Sequence, residues 1–276
     1  MPLIKIEKAS FSYGQQQIFA DLNFVLGTGE IFCLFGPNGC GKTTLLENIL
    51  GLLKLNQGSI FINNLNIANL KPAQLAKKMA YLPQFHNKTF PYKVKEIVLM
   101  GRAAYTPFFS APSKEDKKKV DHVLKLIGIY HLRERPYLNL SGGESRLVML
   151  ARALVQEAQV IVMDEPTSHL DFRHELEILE IIVKLIKEKG LSIIMSTHFP
   201  NQAFYFENKG IKTTLGIMNN KKLLFQGSPE KVLTEKNMEE IFKIKTKILS
   251  YSEAENEKLK YLIPLKIIQE QKDEKK

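Results

Sequence analysis

Gly36-Pro37-Asn38-Gly39-Cys40-Gly41-Lys42-Thr43 stands between an apolar run, Ile31-Phe32-Cys33-Leu34-Phe35, and a segment carrying Leu45, Leu46 and Ile49. The octet has the spacing G-x-x-x-x-G-K-[ST]. A strand, a glycine loop and a helix in that order are the setting this spacing requires. Glycines let consecutive backbone N–H groups curl around an anion, because no Cβ blocks the turn. The helix start adds partial positive charge. The Lys42 ammonium can reach outer phosphates, and the Thr43 hydroxyl can ligand Mg²⁺. The glycine order is not the G-x-G-x-x-G of a dinucleotide fold, which disfavours NAD.

Strands are expected on both sides of this loop, at 3–8, 18–26, 30–35 and 58–62, with a helix from Lys42 to about Gly51. A short strand is expected at 79–83. From about 85 to 150 the pattern turns helical, with breaks at Pro91, Pro107 and Pro112. Ser113 and Asp116 form a capping-box pattern ahead of a helix at 114–127. A buried strand at 160–163, a helix at 171–187 and a strand at 193–196 follow. Leu176, Leu179, Val183 and Ile186 read as the apolar stripe of that helix, and Gly190 as its C-cap. Asn219-Asn220 suggests a hairpin between 213–218 and 222–226. The last thirty residues are dense in Lys and Glu and are expected to form a helix with a frayed end. Strands alternating with helices imply a largely parallel sheet covered on both faces, interrupted by an inserted helical segment.

Val160-Ile161-Val162-Met163-Asp164-Glu165 is an apolar strand ending in two carboxylates. Asp164 fits the acid that holds Mg²⁺ across from the glycine loop. Glu165, one residue further, can polarise the water that attacks a γ-phosphate. Leu140-Ser141-Gly142-Gly143-Glu144 precedes a helical run and is a second anion-ready helix start. One nucleotide does not need two cradles from one chain, so this turn is expected to serve a nucleotide on another copy; a simply capped helix is the alternative. His198 ends a core strand, where ligands gather in α/β folds. Gln84 could touch Mg²⁺ or the attacking water, and Tyr13 could stack on adenine.

The chain has 276 residues, 44% apolar and 25% charged, which argues against a mainly disordered chain. The uncharged stretches at 55–70 and 191–206 carry polar residues throughout, and neither is expected to cross ~30 Å of hydrocarbon. The N-terminus lacks a signal-peptide pattern, so a cytosolic location is expected. Cys33 and Cys40 are too few for a disulfide framework or a zinc site. The net charge of +10 suits nucleic acid, anionic lipid or mere solubility. No nucleic-acid recognition motif accompanies it, so no nucleic-acid partner is expected. Asn87-Lys88-Thr89 fits a glycosylation sequon that a cytosolic chain would not use. His169 and His174 lack zinc spacing, and Lys117-Lys118-Lys119 reads as a solvated helix face.

Taken in order, these pieces resemble the ATP-binding cassette ATPases. Residues 36–43 look like the Walker A motif, Gln84 the Q-loop, and 140–144 the signature. Residues 160–165 look like Walker B, Ser168-His169-Leu170-Asp171 the D-loop, His198 the switch histidine, and Tyr13 the A-loop aromatic. The resemblance covers roughly residues 3–230. It implies an α/β fold: a P-loop NTPase (RecA-like) core with an antiparallel β subdomain at 1–85 and 151–232, an inserted helical subdomain at 86–150, and a helical tail at 233–276.

It also implies ATP and Mg²⁺ as cofactors. Tyr13, Gly36, Pro37, Asn38, Gly39, Cys40, Gly41, Lys42, Thr43 and Thr44 would bind nucleotide, with Ser141, Gly142, Gly143, Glu144 and Asp171 completing the site. Thr43, Gln84 and Asp164 would hold the metal; Glu165, His198 and Gln84 would carry catalysis. Glu144 departs from the usual Gln, as it does in importer subfamilies, and implies altered contacts.

Finer similarity in Tyr81-Leu82-Pro83-Gln84, Phe90-Pro91-Tyr92, Ile97-Val98-Leu99-Met100-Gly101-Arg102 and Glu165-Pro166-Thr167-Ser168-His169-Leu170-Asp171 is to importer ATPases for iron chelates, haem, cobalamin or molybdate. An ordinary helix with a buried face is the other reading of 97–102. The family implies a homodimer with two ATPs at its seam, beneath permease subunits at the cytoplasmic face of the membrane. The segment after Gln84 would receive a permease helix, and an extracytoplasmic binding protein would deliver cargo. A non-importer cassette ATPase, an exporter or a soluble iron–sulfur assembly type, is the alternative. A repair-type member is excluded, because Lys42 and Asp164 are too close in sequence for a long coiled coil between them.

Overall fold

The computed structural model describes residues 2–84, 91–106, 110–252 and 258–268. Asn87, Lys88, Thr89, Phe90 and Pro107, the segment directly after Gln84 and the end of the tail lie outside them.

The chain opens with β1 (Ile4–Tyr13) and β2 (Gln16–Leu26), then β3 (Ile31–Phe35) and α1 (Lys42–Ile49). β4 (Gln57–Ile62), β5 (Leu65–Asn66), α2 (Pro72–Ala76) and β6 (Met79–Leu82) follow. A helical stretch comes next: α3 (Val94–Leu99), α4 (Lys114–Leu126) and α5 (Gly142–Leu154). β7 (Val160–Asp164), α6 (Phe172–Lys189), β8 (Ser192–Thr197) and α7 (Asn201–Asn208) return to alternation. The last described elements are β9 (Thr213–Asn219), β10 (Lys222–Gly227), α8 (Pro229–Val232), α9 (Glu235–Phe242), β11 (Ile244–Ser252) and β12 (Lys258–Ile267).

A six-stranded sheet in the order β10-β9-β3-β8-β7-β6 forms the centre. Every pairing is parallel except that of β10 with β9. Its strands read as unbroken apolar runs because both faces are covered. Ile31, Cys33 and Phe35 enter one core, together with helices α3 to α7. Phe32 and Leu34 enter the other, beneath α1 and the antiparallel sheet β2-β1-β4-β5. The period of two splits each central strand between the two cores. Val94, Val98, Val120 and Leu124 of the inserted helices join the first core without a break.

Ser113 caps α4, its hydroxyl accepting from Asp116 N at 3.1 Å while Asp116 accepts from Ser113 N at 3.0 Å. Gly190 ends α6 in the left-handed region, φ 63°. Two expectations need correction. The buried face of α6 is Ile178, Leu179, Ile182, Leu185 and Ile186, whereas Leu176 is exposed. The stripe is turned because two residue sets on this leucine- and isoleucine-rich helix satisfy helical spacing.

Among the described residues the tail beyond α9 is also strand rather than helix. β11 and β12 pair antiparallel from Ile244↔Ile267 to Ser252↔Lys258. Asn201 of α7 anchors this hairpin in place of a neighbouring strand. Its amide donates to Leu262 O at 3.0 Å and accepts from Leu262 N at 2.8 Å. Leu262 is buried in the first core. Composition suggested a solvated helix, but the docking groups lie elsewhere in the chain.

Candidate functional site

The parallel strands deliver their C-terminal ends to one edge of the sheet, where α/β folds collect ligands. β3 runs into the glycine loop, β6 into Gln84, β7 ends on Asp164, and β8 leads to His198. A cleft of about 370 Å³ opens there, lined by Ile18, Asn38, Gly39, Gly41, Lys42, Thr43, Thr44, Gln84, Glu165 and His198.

The loop is built tightly. Gly36 lies so close to Met218 that a Cβ would sit 2.2 Å from its carbonyl oxygen. Gly41 has φ +99°, and a Cβ there would meet Ile18 at 2.6 Å. Lys42 is buried beneath the loop and donates to Gly36 O at 2.9 Å and Pro37 O at 3.1 Å. Those carbonyls therefore point inward, which leaves N–H groups of the loop for an anion. Burial pushes the Cys40 thiol above its usual range, so it stays a neutral packing group beside Gly36.

Across the cleft, Asp164 is held through both oxygens. Thr43 Oγ1 donates to Oδ2 at 2.7 Å and Ser196 Oγ donates to Oδ1 at 2.5 Å. Asp164 pairs with Ser196 in the β7–β8 register, which puts that hydroxyl beside it. Ser196 Oγ also accepts from Glu165 N at 3.0 Å. Glu165 sits in the left-handed region, φ 45°, which is costly for a residue with a Cβ. Its carboxylate is gripped from two sides: Gln84 Nε2 donates to Oε2 at 2.6 Å, and His198 Nε2 contacts Oε1. Two polar side chains just beyond β6 and β8 thus aim one buried acid into the cleft.

The structure brings the loop, Gln84, Asp164, Glu165 and His198 together. It does not bring Tyr13 or Ser141–Glu144 into the lining of the same cleft. Tyr13 is half-exposed and packs edge-on against Phe11, centroids 4.9 Å apart. Ser141 caps α5: Glu144 N donates to its hydroxyl at 3.2 Å, and Ser141 N donates to Glu144 at 2.8 Å. These bonds hold the Glu144 carboxyl below its usual range, and Arg135 pairs with it at 3.2 Å. Ser141 and Gly142 are exposed at the surface. Asp171 caps α6, accepting from His174 N at 2.9 Å and meeting His174 Nδ1 at 2.7 Å.

Three contributors escape sequence reasoning. Ile18 lines the cleft from β2 with no motif to mark it. Ser196 is visible only once the register of β7 and β8 is known. Arg146 lies on α5 and among the described residues donates to backbone carbonyls, which leave no trace in residue identity.

The sequence profile of the ABC transporter family matches residues 19–168. The petrobactin import ATP-binding protein FpuC of Bacillus anthracis is 34% identical over 251 residues, covering 91% of this chain and 90% of that one. The iron(3+)-hydroxamate import ATP-binding protein FhuC of Bacillus subtilis (strain 168) is 32% identical, with 91% of each chain covered. Among solved structures, an inward-facing transporter described as metal-chelate type superposes with a TM-score of 0.83 at 28% identity, over 96% of this chain and 98% of that one. No helix among the described residues is long and apolar enough to cross a membrane. A P-loop NTPase sheet with its acids at the strand ends, and likeness along nearly the whole chain, lead to one assignment: the chain belongs to the ABC transporter family, as one of its ATP-binding, ATP-hydrolysing subunits.

Proposed function

We propose that this chain is the energising subunit of an importer for a metal-chelate type cargo, working as an ATP-sandwich homodimer on the cytoplasmic face of a permease. The observation that carries the catalytic part is the convergence of Gln84 and His198 on the Glu165 carboxylate, opposite Thr43 and Asp164. In this reading the glycine loop and Lys42 bind the phosphates, and Tyr13 faces the adenine. Glu165 takes the proton of the attacking water while His198 and Gln84 fix its oxygens.

The donor set suits Mg²⁺. Thr43 and Asp164 offer hard oxygens at one point, and Gln84 keeps its carbonyl oxygen free of Glu165. Bound there, Mg²⁺ would neutralise phosphate charge.

The exposed Ser141 turn supports the dimer. Ser141 N–H is taken by the Glu144 carboxylate, but Ser141 and Gly142 lie exposed at the start of α5 and outside the cleft of their own chain, so Ser141, Gly142, Gly143, Glu144 and Asp171 would meet a nucleotide held by a second copy. Residues 86–150 would be the subdomain that carries this turn, inserted between core segments 1–85 and 151–232. The import role rests on the relatives, whose names include petrobactin and iron(3+)-hydroxamate import. The binding protein and permease would select the cargo.

The test is a tagged Glu165→Gln protein isolated from its native membranes with ATP and Mg²⁺. A dimer held to a polytopic permease, with iron or molybdenum found in the bound cargo by elemental analysis, is expected. A monomer by light scattering at saturating ATP would overturn the shared site, and a permease that carries no metal-chelate would overturn the import role.

A further inference from the structure

Arg146 is 9% exposed, yet it makes no ion pair among the described residues. Its guanidinium instead spends its donors on backbone carbonyls. Nε donates to Pro166 O at 2.7 Å. One terminal nitrogen reaches Asp164 O at 3.0 Å and Glu165 O at 2.8 Å. The other reaches Pro83 O, and Gln84 O at 3.2 Å. Five acceptors therefore come from the two strand ends that carry Glu165 and Gln84. Burial pushes this guanidinium down to about 10, against the pull of Asp164 and other anions. A cation so poorly solvated is costly, and satisfying its planar fork offsets that cost.

The position matters more than the energy. Glu165 adopts φ 45°, a conformation that persists only where neighbours over-determine it. Arg146 clamps its carbonyl and those on either side, while Ser196 holds its N–H. The same guanidinium fixes the backbone of Gln84, whose side chain in turn holds the Glu165 carboxylate. Arg146 also stands on α5, the helix that Ser141 caps. A single side chain thus joins the serine–glycine turn to the acid and to the residue that orients it.

We propose that Arg146 is a positioning residue for ATP hydrolysis, setting the geometry of Glu165 and Gln84 through their backbones. The inference rests on the reading of Glu165 as the water-polarising acid. It predicts a split between binding and turnover. Lysine keeps the charge but is a point donor and cannot serve carbonyls spread around a plane. Arg146→Lys should lower kcat by about 10²-fold, because small misplacement of a reacting group costs that much. The Kd for ATP should stay within about threefold, since Arg146 does not line the cleft.

Steady-state ATPase and calorimetry on Arg146→Lys, Glu165→Gln and the double variant give the test. Acting through Glu165, Arg146→Lys should cause little further loss in the Glu165→Gln background. Equal losses in both backgrounds, or kcat and ATP affinity falling together, would overturn the inference. A fully active Arg146→Lys beside an inert Glu165→Gln would overturn it while sparing the reading of Glu165. A fully active Glu165→Gln would instead remove that reading itself. Arg146→Gln, which buries no unpaired ammonium, carries the same comparison if the lysine protein does not fold by circular dichroism.

Discussion

The Thr43 hydroxyl donates to Oδ2 of Asp164 at 2.7 Å, so the start of α1 and the end of β7 meet at one point. Two hard oxygens from separate elements converge where a phosphate-bound metal would sit. Asp164→Asn keeps the shape and removes the charge. It should raise the Mg²⁺ concentration for half-maximal ATPase by at least about 10-fold, the scale on which metal sites respond to lost ligands or partners. Binding of ATP in EDTA should change little. An unaltered Mg²⁺ titration would place the metal elsewhere.

Lys42 ties down the carbonyls of Gly36 and Pro37, and in the proposed site it would also carry charge to the phosphates. Lys42→Ala removes a charge-assisted contact and the loop's internal clamp together. ATP affinity should fall about 10²-fold, or about 2.7 kcal/mol. Calorimetry without metal isolates this loss from any effect on Mg²⁺. An affinity equal to that of the native chain would contradict the cradle.

His198 and Gln84 hold opposite oxygens of one carboxylate, so losing one leaves Glu165 free to swing about the other. His198→Ala should reduce kcat by about 10²-fold, at the low end of what acid–base machinery contributes. ATP affinity should move less than kcat, because His198 meets the acid rather than the loop. Single-turnover kinetics separate the two, and an unchanged chemical step would show that Gln84 suffices.

The parts written in periodicity were legible before the structure. Ile31–Phe35, the glycine loop and α1 fall where residues 31–49 place them, and so does the capping box at Ser113. What was hidden depends on partners distant in sequence. The tail reads as helix from its lysines and glutamates, yet Asn201 supplies the donor and acceptor that hold Leu262 in a strand. The face of α6 turns on which of two apolar sets meets the core, a tertiary choice. Arg146 looks like one more basic residue after a glycine turn, because its acceptors among the described residues are main chain.

Asp116 offers a pH-dependent test of the inserted helices. The Ser113 hydroxyl, at 2.7 Å, and then Arg102, at 2.8 Å, hold its carboxyl down at about 2, against 3.8 for the unperturbed group. The folded value is depressed, so the stabilisation is complete above about pH 5 and fades as pH falls towards 2. Asp116→Asn should therefore lower Tm at pH 7 by several degrees, since each lost kcal/mol shifts a domain of this size by roughly 2–4 °C. The gap between the two proteins should narrow steadily from pH 5 to pH 2.5. A gap independent of pH would mean that the ionised form is not what stabilises α4.

Gly143 is pressed against His174, and a Cβ there would lie 2.3 Å from the imidazole ring. The ring cannot easily retreat, because its Nδ1 is tied to Asp171, which also caps α6. With the ring held by that contact, Gly143→Ala is expected to push the start of α5 away from α6 and displace the exposed Ser141 turn. Gly143 does not line the cleft of its own chain, so ATP affinity of the monomer should stay within about twofold. In a Glu165→Gln background, ATP-driven dimerisation by light scattering should need about 10-fold more ATP, or about 1.4 kcal/mol. Removing the ring with His174→Ala makes room for the methyl and should restore part of that loss. If Gly143→Ala dimerises like its parent, the placement of the Ser141 turn against α6 has no bearing on assembly.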